Sequence, residues 1–329
     1  MLVDRKSVHY RKDMFNVLVT GVGSIIGYGI IDGLRKSSVP VTITGIDIYD
    51  DAYGAVLSDH FVQGVRADSP GFIDFINEVV SRYEIDLIIP GIEQDLYALW
   101  DSRDKVQTKI VFGNELCMQM AKDKLFTYNW LKDKDIRLIP TLSNAGFSEC
   151  REKLSLPFLL KPVLSSASKG IEKINTEEEF DFFTRRNGNA CIYQRIIGSM
   201  DDEYTVNVFG DGEGAIMDLI MLKRKLSGEG ATSKAVYSDN PVIAGYVHAI
   251  CALLKPLGPL NIQLRMEEGV PYLLEINSRV SSSCSIRTAM GYNEAEMCVR
   301  FYLMGERIKP APRKPARAIR YIADHIIAL

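Results

Sequence analysis

The stretch Tyr272-Leu-Leu-Glu275-Ile-Asn277-Ser-Arg279 sets Glu275, Asn277 and Arg279 two residues apart on a largely apolar run. Side chains two apart on a strand share a face, so these three point the same way. Upstream, Gly258-Pro-Leu-Asn-Ile-Gln263 is a second apolar run, and Glu267-Glu-Gly269 between the two reads as a hairpin turn. With a loop of about three residues, Gln263 lies opposite Glu275 on that face. Polar groups buried on an apolar hairpin are costly unless paired. A hard cation would pair them: Mg²⁺ takes carboxylate and amide oxygens and completes its shell with phosphate oxygens. Arg279 would add positive charge beside such a group. The same spacing suits a half-exposed hairpin with a solvated outer face, and spacing alone leaves both readings open.

A lysine at a strand end is the second candidate. Leu156-Pro-Phe-Leu-Leu-Lys161-Pro162 runs into Ser165-Ser-Ala-Ser-Lys169-Gly170-Ile171. A loop of small residues can present backbone N–H groups to phosphate. The pattern GxxxxGK[ST] is absent, so this is not a Walker A loop, and an ordinary hairpin turn is the other reading. Near the N-terminus, Gly21-Val-Gly23-Ser-Ile-Ile-Gly27 follows an apolar strand and opens a helix, and Asp47 stands close to the offset of a ribose-binding acid. The glycine spacing departs from the dinucleotide fingerprint, and tight strand–helix packing explains it equally. Tyr128 and Lys132 have the YxxxK spacing of short-chain reductases, but Glu115 stands about where that family's catalytic serine would fall.

Taken in order, these pieces resemble the ATP-grasp superfamily, with the closest likeness to the carbamoyl phosphate synthetase large subunit and its stand-alone relatives. The resemblance covers nearly the whole chain after Met14. It is carried by Asp123-Lys124, Phe158-Leu-Leu-Lys161-Pro162, Ser165 to Ile171, Gln194-Arg-Ile196, Glu203-Tyr-Thr-Val206, Asn261-Ile-Gln263 and Leu274-Glu-Ile-Asn-Ser-Arg279. It implies that Lys124 and Lys161 bind the α and β phosphates, and that Ser165, Ser166, Ser168, Lys169 and Gly170 close over the triphosphate. Gln194, Arg195 and Ile196 would lie beside the adenine, with the backbone at Arg195 and Ile196 reading its edge, and Glu203 would hold the ribose hydroxyls. Gln263, Glu275 and Asn277 would bind two Mg²⁺ ions, for which Mn²⁺ could substitute, and Arg279 would steady the γ-phosphate or an acyl phosphate. Gln194 stands where a glutamate is frequent, and Ser278 replaces the usual proline of an Asn-Pro-Arg triplet.

The resemblance also makes Arg224 and Lys225 candidates to approach the phosphates or the substrate, a solvated charge run being the other reading. Ser281-Ser-Ser-Cys-Ser285-Ile-Arg287 is similar to the substrate-side loop of the carbamoyl phosphate synthetases. There Ser281 and Ser283 would meet substrate. Arg287 would clamp a carboxylate bidentately, or else sit in an interior ion pair. Ser24 and the loop Gly91-Ile-Glu93-Gln94 would border the acceptor. The implied activity is an ATP-dependent ligase. A small-molecule carboxylate attacks the γ-phosphate, giving an acyl phosphate and ADP, and an amine or ammonia then displaces phosphate. No protein nucleophile is needed, in keeping with the lack of a Ser/His/Asp or Cys/His signature. The rivals are an NAD(P)-dependent reductase or epimerase using the N-terminal glycine turn, and a non-catalytic ATP-binding sensor.

The elements that must position these groups follow from periodicity. Asn16–Thr20, Val41–Ile46, Asp86–Pro90 and Lys109–Phe112 read as buried strands alternating with helices at Ile25–Leu34 and Gly71–Tyr83. That alternation predicts an α/β, Rossmann-like parallel sheet over residues 14–113. Residues 114–193 are expected to form a bridging helix (to about Lys134) and a small lid, and 194–329 an antiparallel-sheet domain ending in a Pro-rich tail extended along the surface. Residues 1–13, polar and basic, are expected to be a disordered extension. The chain has 329 residues, 39 Lys plus Arg and 42 Asp plus Glu, and a net charge of −3, which favours neither nucleic acid nor an anionic membrane as partner. Six scattered cysteines without a CxxC pair suit a reducing cytoplasm, and four histidines disfavour zinc. Homo-oligomerisation is left open.

Overall fold

A computed structural model describes residues 14–164, 170–188, 190–228 and 230–326. The chain divides into two compact units, the second beginning at Val111.

In the first unit, β1 (Phe15–Thr20), β2 (Val41–Asp47), β3 (His60–Gln63), β4 (Leu87–Ile89) and β5 (Lys109–Ile110) form a sheet in the order β3-β2-β1-β4-β5. Every pairing is parallel. Strands β1 and β4 are almost wholly apolar, as strands buried on both faces must be. Helices α1 (Ile25–Arg35), α2 (Phe72–Arg82) and α3 (Glu93–Asp101) make the crossovers. Strand β3 and helix α3 were not foreseen. β3 is short and half-exposed, and the first turn of α3 is polar, so neither carries a clear apolar period. The segment expected to be a loop at Glu93 is therefore the start of a helix.

The second unit opens with α4 (Glu115–Lys122) and α5 (Lys124–Leu131). One bridging helix was expected here, but the chain breaks at Asp123. Its backbone is extended (φ −130°, ψ 111°) and its carboxylate accepts from the Phe126 N–H at 2.8 Å, which caps α5. A four-stranded antiparallel sheet follows in the order β6-β9-β7-β8, made of β6 (Thr141–Ser143), β7 (Phe158–Pro162), β8 (Glu172–Ile174) and β9 (Cys191–Arg195). Helices α6 (Phe147–Leu154) and α7 (Glu177–Asn187) belong to the same layer pair. Its core is Cys150, Leu154, Phe158, Leu160, Ile174, Phe180, Cys191 and Tyr193.

The larger sheet is antiparallel, in the order β14-β13-β10-β11-β12-β15. Its strands are β10 (Glu203–Asp211), β11 (Ile216–Leu226), β12 (Thr232–Ser238), β13 (Leu257–Glu267), β14 (Val270–Asn277) and β15 (Arg317–Ile319). One face buries Tyr204, Val206, Val208, Ile262, Leu264, Leu273 and Ile276 against α4, α5 and α8 (Pro241–Leu254). Helix α8 forms because Asn240 caps it, accepting from the Val242 N–H at 2.9 Å, and Pro241 stands where no N–H is needed. It buries Ile243, Val247, Ile250, Cys251 and Leu254 at helical spacing and ends at Lys255 in the left-handed region (φ 48°). Each buried aliphatic side chain contributes roughly 1.5–3 kcal/mol, so this helix docks through packing more than propensity. Beyond the Pro-rich tail, β15 adds an unforeseen edge strand on β12. Helices α9 (Cys284–Ala289) and α10 (Glu294–Cys298) follow the sheet's last long strand.

The β13–β14 hairpin corrects one expectation. Its turn is the two residues Glu268 and Gly269, both at positive φ (51° and 79°), rather than three. A bulge then shifts the register between Gln263 and Leu264, so Leu264 pairs with Leu273 but Gln263 pairs with Glu275. Asn261 pairs with Asn277 in the same register.

Candidate functional site

The face of the large sheet opposite the apolar core is polar across four strands, because alternate residues of each strand carry it. Thr205 pairs with Gln263 and Asn207 with Asn261, while Gln263 and Asn261 pair with Glu275 and Asn277. Arg224 on β11 donates to Glu203 Oε1 through Nε (3.1 Å) and Nη2 (2.8 Å), and to Gln263 Oε1 at 2.8 Å. Arg265 donates to Glu203 Oε2 at 2.8 Å. Glu203, expected at the ribose hydroxyls, is thus buried with an arginine on each oxygen. Deeper along the face, Asn261 Nδ2 reaches Thr205 Oγ1 (2.7 Å) and Asn207 Oδ1 (3.1 Å). Arg265, Thr205 and Asn207 were not singled out in the sequence. Their signal was there, in the two-residue periods of Glu203-Tyr-Thr205-Val-Asn207 and Asn261-Ile-Gln263-Leu-Arg265.

Lys161, Lys124, Gln194 and Glu275 line one cavity of about 40 Å³, which also touches Tyr128 and Leu274. The break at Asp123 puts Lys124 at the start of α5, with its N–H on the Val163 carbonyl at 3.3 Å. Its ammonium lies 3.7 Å from Glu275 Oε1. Lys161, at the end of β7, is buried and donates to Gln194 Oε1 at 2.6 Å, and Gln194 in turn donates to Thr141 Oγ1 at 3.0 Å. Burial pushes the Lys161 ammonium down to about 8, with the Glu275 carboxylate pulling it back up. A cation so poorly solvated gains from any anion brought to it.

Among the described residues, no three His, Cys, Asp or Glu side chains cluster as a metal site. A cation here would rest on the Glu275 carboxylate and the Gln263 and Asn277 amides, hard oxygen donors suited to Mg²⁺. The residues fit such an ion. Asn277 is buried and its Nδ2 has no hydrogen-bond partner, while its Oδ1 accepts from Arg279 Nη2 at 3.2 Å. A half-turn of that amide presents oxygen where nitrogen now stands. Arg279 also donates to the Val280 carbonyl at 3.2 Å, which holds its guanidinium beside Asn277.

Other expected residues fall elsewhere. Arg287 is fully buried, donates to Ser281 Oγ (2.8 Å) and Ser283 Oγ (2.6 Å), and pairs with the buried Glu294. It is an interior ion pair rather than an open carboxylate clamp, and Ser281 and Ser283 serve it instead of a substrate. Lys225 alternates with Arg224 along β11, so it points away from the polar face. It makes an exposed pair with Asp201 at 2.6 Å, which removes it from the site. Arg195 pairs with Glu267, and its N–H donates to the Pro140 carbonyl at 3.0 Å; Ile196 follows β9 directly. Gly170 is exposed at φ 74° against Pro162. Ser165, Ser166, Ser168 and Lys169 lie outside the described residues.

In the first unit, Ser24 caps α1. It accepts from the Gly27 N–H at 3.0 Å and donates to the Gly91 carbonyl at 2.9 Å, so its hydroxyl is committed to the fold. The glycine turn keeps its donors to itself: Val22 N–H goes to the Ile46 carbonyl, Gly23 N–H to Asp47 Oδ2 at 2.8 Å, and Ser24 N–H to the Gly21 carbonyl. A Cβ on Gly27 would stand 2.3 Å from the Gly21 carbonyl oxygen, which accounts for that glycine by packing. With those N–H groups spent and a carboxylate against the turn, a pyrophosphate has little to hold it there.

Residues 200–325 match the model of a family described as ATP-grasp in the biosynthetic pathway with Ter operon. The carbamoyl phosphate synthase large chain of Thermoanaerobacter sp. (strain X514) is 27% identical over 171 residues, 48% of this chain. This chain spans 16% of that relative's length. Among solved structures, N5-carboxyaminoimidazole synthetase from Staphylococcus aureus superposes with a TM-score of 0.72 at 16% identity, over 92% of this chain and 80% of that one. The biotin carboxylase domain of Hydrogenobacter thermophilus 2-oxoglutarate carboxylase, in complex with MgADP and bicarbonate, gives 0.70 at 14% identity, over 90% and 71%. Within the described residues, no helix is long and apolar enough to cross a membrane. The parallel-sheet unit, the small antiparallel layer and the large antiparallel sheet share the fold of these enzymes, and residues 200–325 are similar to the ATP-grasp family.

Proposed function

We propose that the chain is an ATP-dependent ligase that activates a small-molecule carboxylate as an acyl phosphate and joins it to an amine or ammonia, releasing ADP and phosphate. One observation carries this reading: Lys161, Lys124 and Glu275 converge on a single cavity, and Gln263 stands directly across the hairpin from Glu275. Lysines so placed meet the α and β phosphates, and Arg279 meets the group being transferred. Gln263, Glu275 and Asn277 would hold two Mg²⁺ ions, with Mn²⁺ as a substitute, supplying charge neutralisation to the triphosphate. Arg224 then acts by orientation. Its bond to Gln263 Oε1 and its pairing with Glu203 fix the amide and the carboxylate relative to each other. The acceptor belongs to the same broad chemistry as that of carbamoyl phosphate synthetases, amino-acid ligation or amidation of a sugar acid, in a cytoplasmic setting.

The test is ADP release by the full chain with ATP and Mg²⁺ over a matrix of carboxylates paired with amines, including ammonia and amino acids. Turnover with at least one pair, lost in Glu275→Gln without loss of the thermal unfolding transition, is the expected result. Near-normal turnover in that variant removes the metal assignment. Tight ATP binding with no ADP formed from any pair favours a sensor, and an absorbance change at 340 nm with NAD(P)H favours a reductase.

A further inference from the structure

The first unit holds a cavity of about 530 Å³ to which the proposed function assigns no ligand. It lies at the carboxyl ends of β1, β2 and β3, beside the point where the strand order reverses between β1 and β4. Open parallel sheets bind ligands at that place, and the volume is that of a small-molecule pocket. Its walls are largely apolar: Ile46, Ile48, Phe72 and Ile92, with the ring of Phe72 and the side chain of Ile46 already buried in the fold.

The charged lining is one-sided. Arg66 at the rim is paired with Asp68 at 3.0 Å and so neutralises it, and no other cation lines the cavity among the described residues. That leaves Asp47 and Asp95. Asp47 is held in place by the N–H groups of Gly23 (2.8 Å) and Tyr49 (3.2 Å). Asp95 is 7% exposed, and burial pushes its carboxyl up to about 6, with the charge of Asp47 adding to the effect and a hydrogen bond from Thr20 opposing it. Two carboxylates facing one apolar chamber repel each other and any anion. In the glycine turn beside them, the N–H groups of Val22, Gly23 and Ser24 are already committed within the fold. A positive group is what this lining lacks.

We propose that this cavity binds a small organic cation, its ammonium group seated against Asp47 and Asp95 and its apolar body along Ile46, Ile48, Phe72 and Ile92. Ammonium–carboxylate hydrogen bonds in a partly enclosed site are among the stronger ones, and two acceptors on one side fix the direction in which the ligand enters. The cation could be the amine consumed by the enzyme or a separate effector, since both present the same group.

Phenethylammonium tests this, with 3-phenylpropionate and 2-phenylethanol as controls of similar size. Binding to the full chain is measured by titration calorimetry without ATP, so the result does not depend on the ligase reading. The expected outcome is binding of the cation at least tenfold tighter than either control, weakened tenfold or more in both Asp95→Asn and Asp47→Asn. Asparagine at 47 keeps an acceptor for the Gly23 N–H, so that variant guards against a mere loss of fold at 95. Equal binding of all three probes, no binding of the cation, or cation binding unchanged in both variants overturns the proposal, as does adenosine binding tighter than the cation. In a second arm, the bound cation either appears in a ligated product, which makes the cavity the acceptor site, or alters ADP release without being consumed, which makes it an effector site. Both results support a cation site.

Discussion

Replacing Lys161 with methionine separates what the buried lysine does to the fold from what it does for ATP. Its ammonium is buried and titrates at about 8 rather than 10.5, chiefly because burial disfavours its charge. The sign follows from linkage. The folded chain holds this proton less tightly than the unfolded chain, so the penalty is fully present below about 8 and is relieved as pH rises from about 8 towards 10.5. At pH 7 the gap corresponds to roughly 3 kcal/mol. Methionine fills most of the same volume without the charge. It leaves Gln194 Oε1, now 2.6 Å from the ammonium, without that donor, a loss of about 1–2 kcal/mol. The net expectation at pH 7 is a variant more stable by about 1–2 kcal/mol, melting about 2–8 °C higher. ATP affinity moves the other way. A hydrogen bond from a charged donor to phosphate contributes roughly 1.5–3 kcal/mol, so the Kd for ATP should rise about 10- to 150-fold. Thermal melts at pH 7 and pH 10, with calorimetric titration of ATP and Mg²⁺, check both halves. The gain in Tm should shrink by pH 10, where the wild-type lysine is neutral in the fold. A variant that melts lower at pH 7, or that binds ATP as the wild type does, refutes the reasoning.

Glu294→Gln should destabilise the second unit by about 3–5 kcal/mol, because it strips the counter-charge from a guanidinium with no exposure to water. A fall in Tm worth less than about 1 kcal/mol would show that Arg287 finds water or another partner, and would reopen its role as a clamp. Lys225→Ala should leave ADP release within about twofold and stability nearly unchanged, since its pair with Asp201 is exposed. A tenfold loss of turnover would return Lys225 to the site.

Where strand periodicity governs, placement was legible before structure. Gln263, Glu275 and Asn277 could be placed on one face from their spacing, because a strand converts sequence parity into direction. The arginines were legible only in type. Arg224 and Arg287 carry the same group, yet one reaches the polar face and the other is sealed inside. The difference lies in partners contributed by other segments, Glu203 for the first and Glu294 for the second. No local spacing encodes that. The break between α4 and α5 was equally out of view. Lys122-Asp123-Lys124 disturbs no helical pattern until the Asp123 carboxylate turns to cap the next helix.

The hairpin shows how register can be recovered from an inexact turn. A two-residue turn with no bulge would set Gln263 opposite Leu274 and Ile262 opposite Glu275. That would place the Glu275 carboxylate among Leu260, Ile262 and Leu264, on the face packed against α8. Burying an unpaired carboxylate there would cost several kcal/mol or force its protonation. The consecutive leucines at 273 and 274 are one apolar residue too many for strict alternation, and the bulge at Leu274 absorbs the surplus. Leu273 and Ile276 both reach the core while Glu275 and Asn277 return to the polar face. In this sequence the bulge is what returns Glu275 to the face of Gln263. Deleting Leu274 removes the surplus residue and should leave Glu275 opposite Gln263 in plain alternation, so ATP-dependent turnover should survive in a chain that still folds; its loss there would show that the bulge shapes the site beyond setting the register.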